Sequence, residues 1–467
     1  MRHSHQLQRL ETKTFLGCAA LLFFASLAIF VMEEAAVRLN LLLQMGLLIG
    51  AGSWSKRRSG TLLNPPFVVL TAIFLWHSPL LIECSFFSDF AGAGNTFNYG
   101  KAYVPDTVAL ISACMAFLSF GMIIAYQLQA SEIIPNASQA SNTNIANTLG
   151  WAIFGIFFLL TLAYLISEGG SLDDDYMSMY LNPSSTAINR VFQSVKQFGV
   201  LSILILFYSS KNKKAVFAAI AASLALTMVV FLFGSRSMPF LYAFTVLVCI
   251  DKYLLKIRAW QLVIILVGAS ALSFIIDHTR AFGLGMNLLK FEQTERSVDL
   301  THIFGNMGGT VTNILRTMEF VEGDAPLLGY SFVEPLLFIL PRPLMEAAGI
   351  HAIGFRPSEW IINYSSDVPE GGGLGYSLVA EAYLNFRMFG SGIFLFIGWI
   401  ISRNCFNHSP NHRRVSDILI LNFVILLTLN MRNDWAGYCR ILFWSYMLMV
   451  FIGSYRKNSG SSSTGGD

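Results

Sequence analysis

The chain has 467 residues, of which 54% are hydrophobic and only 13% are charged, and its net charge at pH 7 is +3. Because soluble domains carry roughly 25% charged residues, this composition excludes an ordinary soluble globular protein and indicates a polytopic membrane protein. The small net charge gives no indication of a nucleic-acid partner, and the six scattered cysteines have no metal-binding spacing.

Apolar runs of membrane-spanning length recur along the chain. A spanning helix needs about 20 mainly apolar residues, so we predict an all-α polytopic protein with about 12 transmembrane helices, within a range of about 11 to 14. The first run follows a basic stretch and has no small-residue cleavage site after it, which predicts an uncleaved first span. The predicted spans are 15–32, 37–53, 66–84, 105–129, 148–167, 193–210, 215–233, 238–251, 259–277, 376–402, 417–431 and 435–453.

Basic residues are concentrated on one side of the predicted membrane. By the positive-inside rule that side is the cytoplasm, so both termini are predicted to be cytoplasmic. Four regions follow: an N-terminal membrane bundle, a large outer segment, the last membrane spans and a tail whose low-complexity composition predicts disorder. Their boundaries are 1–277, 278–375, 376–456 and 457–467.

The outer segment 278–375 is about 100 residues long, far beyond an ordinary connection, and we expect short amphipathic helices within it. The run HIFGNMGGTVTNILRTMEFV has apolar residues at mixed helical spacing and is expected to lie along the membrane surface. The run FVEPLLFILPRPLM is apolar but ends in two prolines, so it either dips into the membrane and returns or caps a cavity.

An unusual set of arginines lies on the same outer side. Arg236, in FLFGSRSMPF, sits between two apolar runs, where an unpaired charge costs about 2.5–3.5 kcal/mol or more. The arginine fork matches phosphate oxygens in pairs, so the group predicts a diphosphate substrate, although each arginine alone could be an interface anchor or part of an ion pair. The other members are Arg280, Arg296, Arg316, Arg342, Arg356, Arg432 and Arg440.

Acids and aromatic residues accompany these arginines. His278 can act as a base near neutral pH or simply pair with Asp277. Glu381, about one turn into the tenth predicted span, could bind a sugar hydroxyl, orient an arginine, accept a proton or tether the span to another helix. Tyr376 and Tyr383 either stack on sugar rings or belong to the aromatic belt of the membrane interface.

Other chemical classes receive little support. The triplet Asp173, Asp174 and Asp175 resembles a metal-binding motif of nucleotide-sugar transferases, but a solvated acidic loop explains it better. The sequence contains no Walker A loop, GxGxxG, HExxH or GxSxG motif, so ATP hydrolysis and serine hydrolysis are not indicated.

Two runs resemble a known family. VEPLLFILPRPLM, followed after a gap by GGGLGYSLVAEAYLNFRMFGSGIFLFIGWI, is similar to the bacterial oligosaccharide repeat-unit polymerases, which are the Wzy-type O-antigen and enterobacterial-common-antigen polymerases. The Pro-Arg-Pro step, the Ser…Glu-Ala-Tyr…Asn-Phe pattern and the FGSRS turn carry the match. The chain departs from the family where it has Arg387 after Asn-Phe, a position that often holds glycine, and it lacks the Trp-Pro-x-Lys-Pro and RX10G motifs.

The resemblance implies a multi-pass enzyme of the bacterial inner membrane whose large outer segment is periplasmic. Undecaprenyl diphosphate would carry the growing glycan, a hydroxyl of a second lipid-linked unit would attack the anomeric carbon, and undecaprenyl diphosphate would leave without metal, nucleotide or cofactor. Its implied partners are membrane lipid, a chain-length regulator and a flippase. On this view the diphosphate is bound by Arg236, Arg280, Arg342 and Arg432, with Arg356 and Arg440 in reserve, and Glu381 or His278 orients or deprotonates the acceptor.

Two alternatives stay open. The first is an O-antigen ligase or another polyprenyl-linked glycosyltransferase, because some of these enzymes place a catalytic acid in the first outer loop, where this chain has Glu33 and Glu34. The second is a flippase for the same lipid. It is the weaker alternative, because transporters usually have compact connectors and internal repeats, and neither is evident in the sequence.

Overall fold

A computed structural model describes 2–86, 101–131, 147–168, 191–192, 195–210, 212–231, 237–262, 264–265, 268, 310–337, 339, 357–364, 376–405 and 415–461. Within these ranges every regular element is helical, which confirms the all-α class. Seven helices are long and apolar enough to cross a membrane, or eight if one bent pair counts as a single span.

The helices are numbered in chain order. The first eight are α1 (Arg2–Ser59), α2 (Pro65–His77), α3 (Pro79–Phe86), α4 (Val104–Ser131), α5 (Asn147–Glu168), α6 (Phe198–Ser209), α7 (Lys213–Phe231) and α8 (Ser237–Tyr253). The others are α9 (Val311–Phe320), α10 (Tyr330–Leu337), α11 (Pro357–Tyr364), α12 (Leu378–Phe386), α13 (Ile393–Cys405), α14 (Val415–Asn430) and α15 (Trp435–Ser461). A 3-10 turn, Arg387–Gly392, joins α12 to α13.

Helix α1 folds back on itself. The Asn40 side-chain amide donates to the Ala25 carbonyl at 2.8 Å, although 15 residues of straight helix would separate them by about 22 Å. The rings of Phe15 and Trp54 stack with their centres 4.9 Å apart. The helical backbone therefore forms two antiparallel limbs, which correspond to the first two predicted spans.

Most of the other predicted spans coincide with helices. The span 66–84 is broken into α2 and α3, which are bent by 50°, because Pro79 cannot continue the hydrogen-bonding pattern of α2. Helices α4, α5, α7 and α15 match 105–129, 148–167, 215–233 and 435–453. Helices α6, α8 and α14 match three more predicted spans but have only 12, 17 and 16 residues. Since 259–277 lies largely outside the described residues, the count of twelve stays a prediction.

Two contacts between distant segments join helix ends that are predicted from the sequence to lie on the same side of the membrane. Lys252 and Asp417, both predicted on the inner side, form an ion pair at 4.0 Å. The Trp76 indole N–H, near the predicted outer side, donates to the Thr428 carbonyl at 3.0 Å. These contacts agree with the predicted relative orientation of the spans that they join. Which face of the membrane is cytoplasmic stays a prediction.

Helices α4 and α13 are in very close contact. A Cβ atom at Gly121 would overlap the Leu395 carbonyl, and one at Gly398 would overlap the Leu118 carbonyl. The Ser402 hydroxyl donates to the Met122 carbonyl at 2.9 Å, and together these contacts show that the two helices run parallel. Small residues that allow backbones to approach are a common basis for helix association in membranes.

The predicted span 376–402 is not one straight helix. By length and composition, Leu378–Arg403 counts among the seven candidate spans. However, Gly390 lies directly against the Ala382 carbonyl, and Arg387 has φ 55 and ψ −141, so the chain reverses at Arg387. Helix α13 runs parallel to α4, and the chain reverses between α12 and α13. Helix α12 therefore runs antiparallel to α4, and its N-terminus points into the helix bundle.

The depth of this N-terminus follows from a chain of contacts. Ser377, which precedes α12, hydrogen-bonds to His77 at 2.7 Å, and the hydroxyl of the adjacent Ser78 donates to Gln44 at 2.6 Å. Gln44 in turn donates to the Ser112 hydroxyl at 2.9 Å. Ser112 lies eight residues beyond the start of α4, which is about 12 Å along the helix. Helix α12 is therefore re-entrant, because it rises from inside the bundle toward the predicted outer side.

The segment 327–339 descends beside α12 and α15. The Leu328 N–H donates to the Asn385 carbonyl at 3.0 Å, near the upper end of α12. The Ile339 carbonyl accepts from the Trp444 indole at 3.0 Å, and Trp444 lies nine residues, or about 13 Å, beyond the start of α15. Of the two alternatives for FVEPLLFILPRPLM, this geometry favours a segment that dips into the membrane.

The expectation for the run HIFGNMGGTVTNILRTMEFV is corrected where the run forms α9, while its first eight residues, 302–309, lie outside the described residues. This helix does not lie on a membrane surface with one face uncovered, because residues 311–318 are all buried, including Arg316. It packs against α4, α11 and α12. Polar side chains of α9 form hydrogen bonds with other parts of the protein. One example is the contact between the hydroxyls of Thr317 and Tyr376 at 2.9 Å.

We predict that Gly398→Ala destabilises the protein by about 1–3 kcal/mol, because the added methyl group forces α13 away from α4. Thermal unfolding of the detergent-solubilised protein measures the effect. Gly155→Ala on α5 is the matched control, since nothing lies within 4 Å of the Cβ position there. Equal melting temperatures for the two variants would contradict the close packing.

Candidate functional site

Glu381 lies in the first turn of α12 and is fully buried. One carboxylate oxygen accepts from the Ser331 hydroxyl on α10, and the other accepts from the backbone N–H of Trp435 at the start of α15, both at 2.7 Å. The carboxylate therefore joins three elements that are far apart in the sequence. This geometry corresponds to the tether among the roles left open for Glu381.

Asn385 extends the same network. It lies four residues after Glu381, on the same face of α12. Its amide donates to the Ser331 hydroxyl at 2.7 Å, and its side-chain oxygen accepts from the Gly329 N–H at 3.1 Å. Gly329 has φ 92, a conformation that favours glycine. We call Ser331, Glu381, Asn385 and the Trp435 N–H the carboxylate network.

His77 and Ser377 form a second buried contact at the deep end of α12. The Nδ1 atom of His77 faces the Ile73 carbonyl at 2.7 Å, which can only accept, so Nδ1 carries the proton and Nε2 accepts from the Ser377 hydroxyl. The Ser377 oxygen also accepts the Val379 N–H at 3.1 Å and caps α12. His77 is not among the site residues predicted from the sequence, although a histidine in an apolar run directly before Ser-Pro is a usable signal.

The two predicted sugar-stacking tyrosines differ in exposure. Tyr376 is fully buried, and its hydroxyl donates to Thr317, whose own proton goes to the Asn313 carbonyl at 2.6 Å. Tyr383 is half-buried. Of the two rings, Tyr383 is therefore the better placed to meet a sugar.

Among the predicted diphosphate ligands, Arg432 lies beside these groups. Its guanidinium lies 5.4 Å from the centre of the Trp76 ring, and its carbonyl accepts the Tyr376 N–H at 3.0 Å. Arg440 lies further along, in α15, and is half-buried. The structure thus places Arg432, Tyr376 and Glu381 in one connected region. The predicted site residues outside the described ranges are Arg236, His278, Arg280, Arg342 and Arg356.

Among the described residues, no three His, Cys, Asp or Glu side chains are grouped as metal ligands would be. The site consists instead of buried hydroxyl, amide and carboxylate groups, with one arginine on a tryptophan ring. Of these groups, Arg432 carries the positive charge that an anionic ligand requires.

The comparison with protein families decides the assignment. The model of the O-antigen polysaccharide polymerase Wzy family matches residues 15–458, nearly the whole chain. The chain belongs to this family. No curated protein and no solved structure matches it. Membership in the Wzy family assigns the chain to O-antigen polymerisation, with lipid-linked oligosaccharide repeat units in the membrane as its substrates.

The resemblance to Wzy-type polymerases also showed a departure at Arg387, and the structure gives its physical context. Arg387 has φ 55, a backbone conformation that L residues adopt only at a cost, which is consistent with glycine being frequent at this position. Its guanidinium donates to the Val321 carbonyl at 2.8 Å and to the Asp324 carbonyl. It also lies 5.5 Å from the centre of the Tyr383 ring. The arginine therefore fastens the turn after α9 to the reversal between α12 and α13.

We predict that Glu381→Gln keeps the fold, because the Gln carbonyl can accept from Trp435 while its NH2 donates to Ser331. Glu381→Ala should lose about 1–3 kcal/mol for each donor left without an acceptor. Thermal unfolding measures the difference between the variants. The surface polysaccharide tests the role: glycan made by the Gln variant identifies a tether, whereas a folded but inactive Gln variant would identify a proton acceptor.

For Arg387, the Gly variant should be more stable than the Ala variant by about 1–2 kcal/mol. Both lose the guanidinium contacts, but only alanine retains a Cβ in the left-handed conformation. Melting temperatures of the two purified variants provide the measurement. If the Ala variant were equally stable or more stable, the backbone at this position would not be strained.

Proposed function

We propose that the protein polymerises undecaprenyl-diphosphate-linked oligosaccharide repeat units at the periplasmic face of the inner membrane. The family match over residues 15–458 is the observation that carries this proposal. The proposed reaction releases undecaprenyl diphosphate and needs neither metal nor cofactor. A flippase that supplies the lipid-linked units and a regulator of chain length are the proposed partners.

In the proposed reaction, a hydroxyl oxygen of the acceptor sugar forms a bond to the anomeric carbon of the donor. The bond from that carbon to the diphosphate oxygen breaks, and the diphosphate leaves with the electron pair. The acceptor proton passes to a nearby base or to the leaving diphosphate. Because a diphosphate is already a good leaving group, a strong base is unnecessary, and the main requirement is to stabilise the negative charge that develops.

Arginine side chains meet that requirement. We assign Arg432 to the diphosphate because it lies beside the buried polar groups at the predicted outer side, with its guanidinium over Trp76. An aromatic ring orients a guanidinium that lies over it, and the planar N–H fork of arginine matches phosphate oxygens in pairs. The sequence assigns the same role to Arg236, Arg280 and Arg342, with Arg356 and Arg440 in reserve.

Glu381 is assigned a positioning role, since both of its oxygens are occupied by donors from the protein. Acceptor orientation or deprotonation then falls to His278, and Tyr383 provides a half-exposed ring for a sugar.

The ligase alternative differs on one point, because it requires Glu33 or Glu34 as the catalytic acid. Alanine variants of both glutamates should still polymerise under the present proposal.

The test is a deletion strain complemented with variants on a plasmid. The strain without the gene should attach single repeat units to its surface polysaccharide, and the wild-type gene should restore the ladder of long chains on a gel. Arg432→Ala should lower the polymerisation rate about 100-fold or more, the loss typical of removing one charge-stabilising donor. Arg432→Lys should also be weak, because an ammonium group lacks the planar fork.

Arg403→Ala is the matched control, because Arg403 also lies over a tryptophan ring, that of Trp399, at 5.0 Å but on the predicted inner side. This variant should give a normal ladder at equal expression. Loss of every repeat in the deletion strain would point to transport or ligation, and a full ladder from Arg432→Ala would remove Arg432 from the site.

A further inference from the structure

Helix α10 has two chemically different faces. Tyr330, Val333 and Leu336 recur every three residues along one side and are 53%, 61% and 53% exposed. Ser331 lies on the opposite side and is buried, while the buried Glu334 lies between the two sides and accepts from the Tyr330 hydroxyl at 3.3 Å. Ser331 belongs to the carboxylate network, so the polar side of α10 faces the candidate site while the apolar side faces outward.

The apolar side lies at membrane depth. Helix α10 is held at its upper end by the Gly329–Asn385 contact, and Ile339, just beyond its lower end, meets Trp444 about 13 Å along α15. Helix α15 is itself one of the candidate spans over Trp435–Ile452. We therefore expect the exposed side of α10, which lies beside this span, to meet hydrocarbon rather than water. Such an environment is unusual for a segment that is predicted by sequence to be an outer loop.

The chemistry of a lipid-linked substrate connects the two faces. The polyprenyl tail is attached directly to the diphosphate, so wherever the diphosphate binds, the first isoprene units lie within a few ångströms. Phospholipid head groups stay at the membrane surface. In contrast, a lipid whose diphosphate binds Arg432 places the start of its tail near α10, because the ring of Trp435, three residues after Arg432, packs against Phe332 of α10 with the ring centres 6.1 Å apart.

We propose that the apolar face of α10, formed by Tyr330, Val333 and Leu336, is the docking surface for the polyprenyl tail of the lipid-linked substrate. This inference rests on the proposed function, and it adds the side from which the substrate enters. The tail lies against α10 within the bilayer, and the diphosphate reaches the site past the helix that carries Ser331. The substrate thus moves laterally and never leaves the membrane.

A photoreactive amino acid tests the docking surface. Benzoylphenylalanine replaces Val333 in the full-length protein, and membranes from cells that make the repeat unit are irradiated. An antibody against the repeat unit should then detect a glycan-bearing adduct of the protein. The adduct should be absent in cells that cannot make the lipid-linked repeat unit. A second variant at Leu336 should give the same result, which guards against failure of one variant to fold.

Ile156 on α5 and Phe396 on α13 are matched control positions, because they are 69% and 65% exposed and apolar. Benzoylphenylalanine there should give phospholipid adducts without glycan. Phospholipid adducts alone at Val333 and Leu336, or equal glycan adducts at all four positions, would overturn the inference. The ladder from the complemented deletion strain is scored separately. A normal ladder without the adduct refutes the docking surface alone, whereas a ladder that persists in the deletion strain refutes the proposed function.

Discussion

The two hydrogen bonds that the Glu381 carboxylate accepts hold together the part of the molecule on which the site depends. They join α12 to α10 through Ser331 and to α15 through the Trp435 N–H. Helix α12 has only nine residues, too few to be stable as an isolated helix. A buried carboxylate is costly unless donors within the protein stabilise it, so the network is stable only when α10 and α15 both contact α12. Because the network needs α10, α12 and α15 together, it favours one arrangement of these three helices over others.

Non-helical backbone that packs among the helices must also find hydrogen-bond partners within the protein. The segment before α10 finds them at the end of α12, where the last carbonyls of a helix have no intrahelical donor. Leu327 donates to the Leu384 carbonyl at 3.3 Å, and Leu328 donates to the Asn385 carbonyl at 3.0 Å. The segment before α10 thus supplies backbone N–H donors, and the C-terminal end of α12 supplies the carbonyl acceptors. This exchange allows two short elements to lie among the spanning helices.

The sequence predicts the long elements well and the short ones poorly, for a physical reason. Apolar runs such as 105–129 determine spanning helices almost by themselves, and α4 is found there. The reversal at Arg387 leaves no such signal, because the apolar character continues through the turn and into α13. The direction of α12 depends on contacts such as His77–Ser377, which join residues 300 positions apart. No local pattern encodes them, so His77 was missed although Glu381 was found.

The same distinction applies within the site. The sequence identified Glu381, Arg432 and Tyr383 from charge and aromatic character at one side of the membrane, but side-chain orientation decides what each can do. Glu381 has both oxygens engaged within the protein, while Tyr383 retains a partly exposed ring. For a substrate anchored in the bilayer, the enzyme has to bring polar groups down to the lipid, since extracting a long polyprenyl tail into water would expose a large apolar surface. The short helices α10 and α12 achieve this, and their shared carboxylate network keeps the descending polar groups paired.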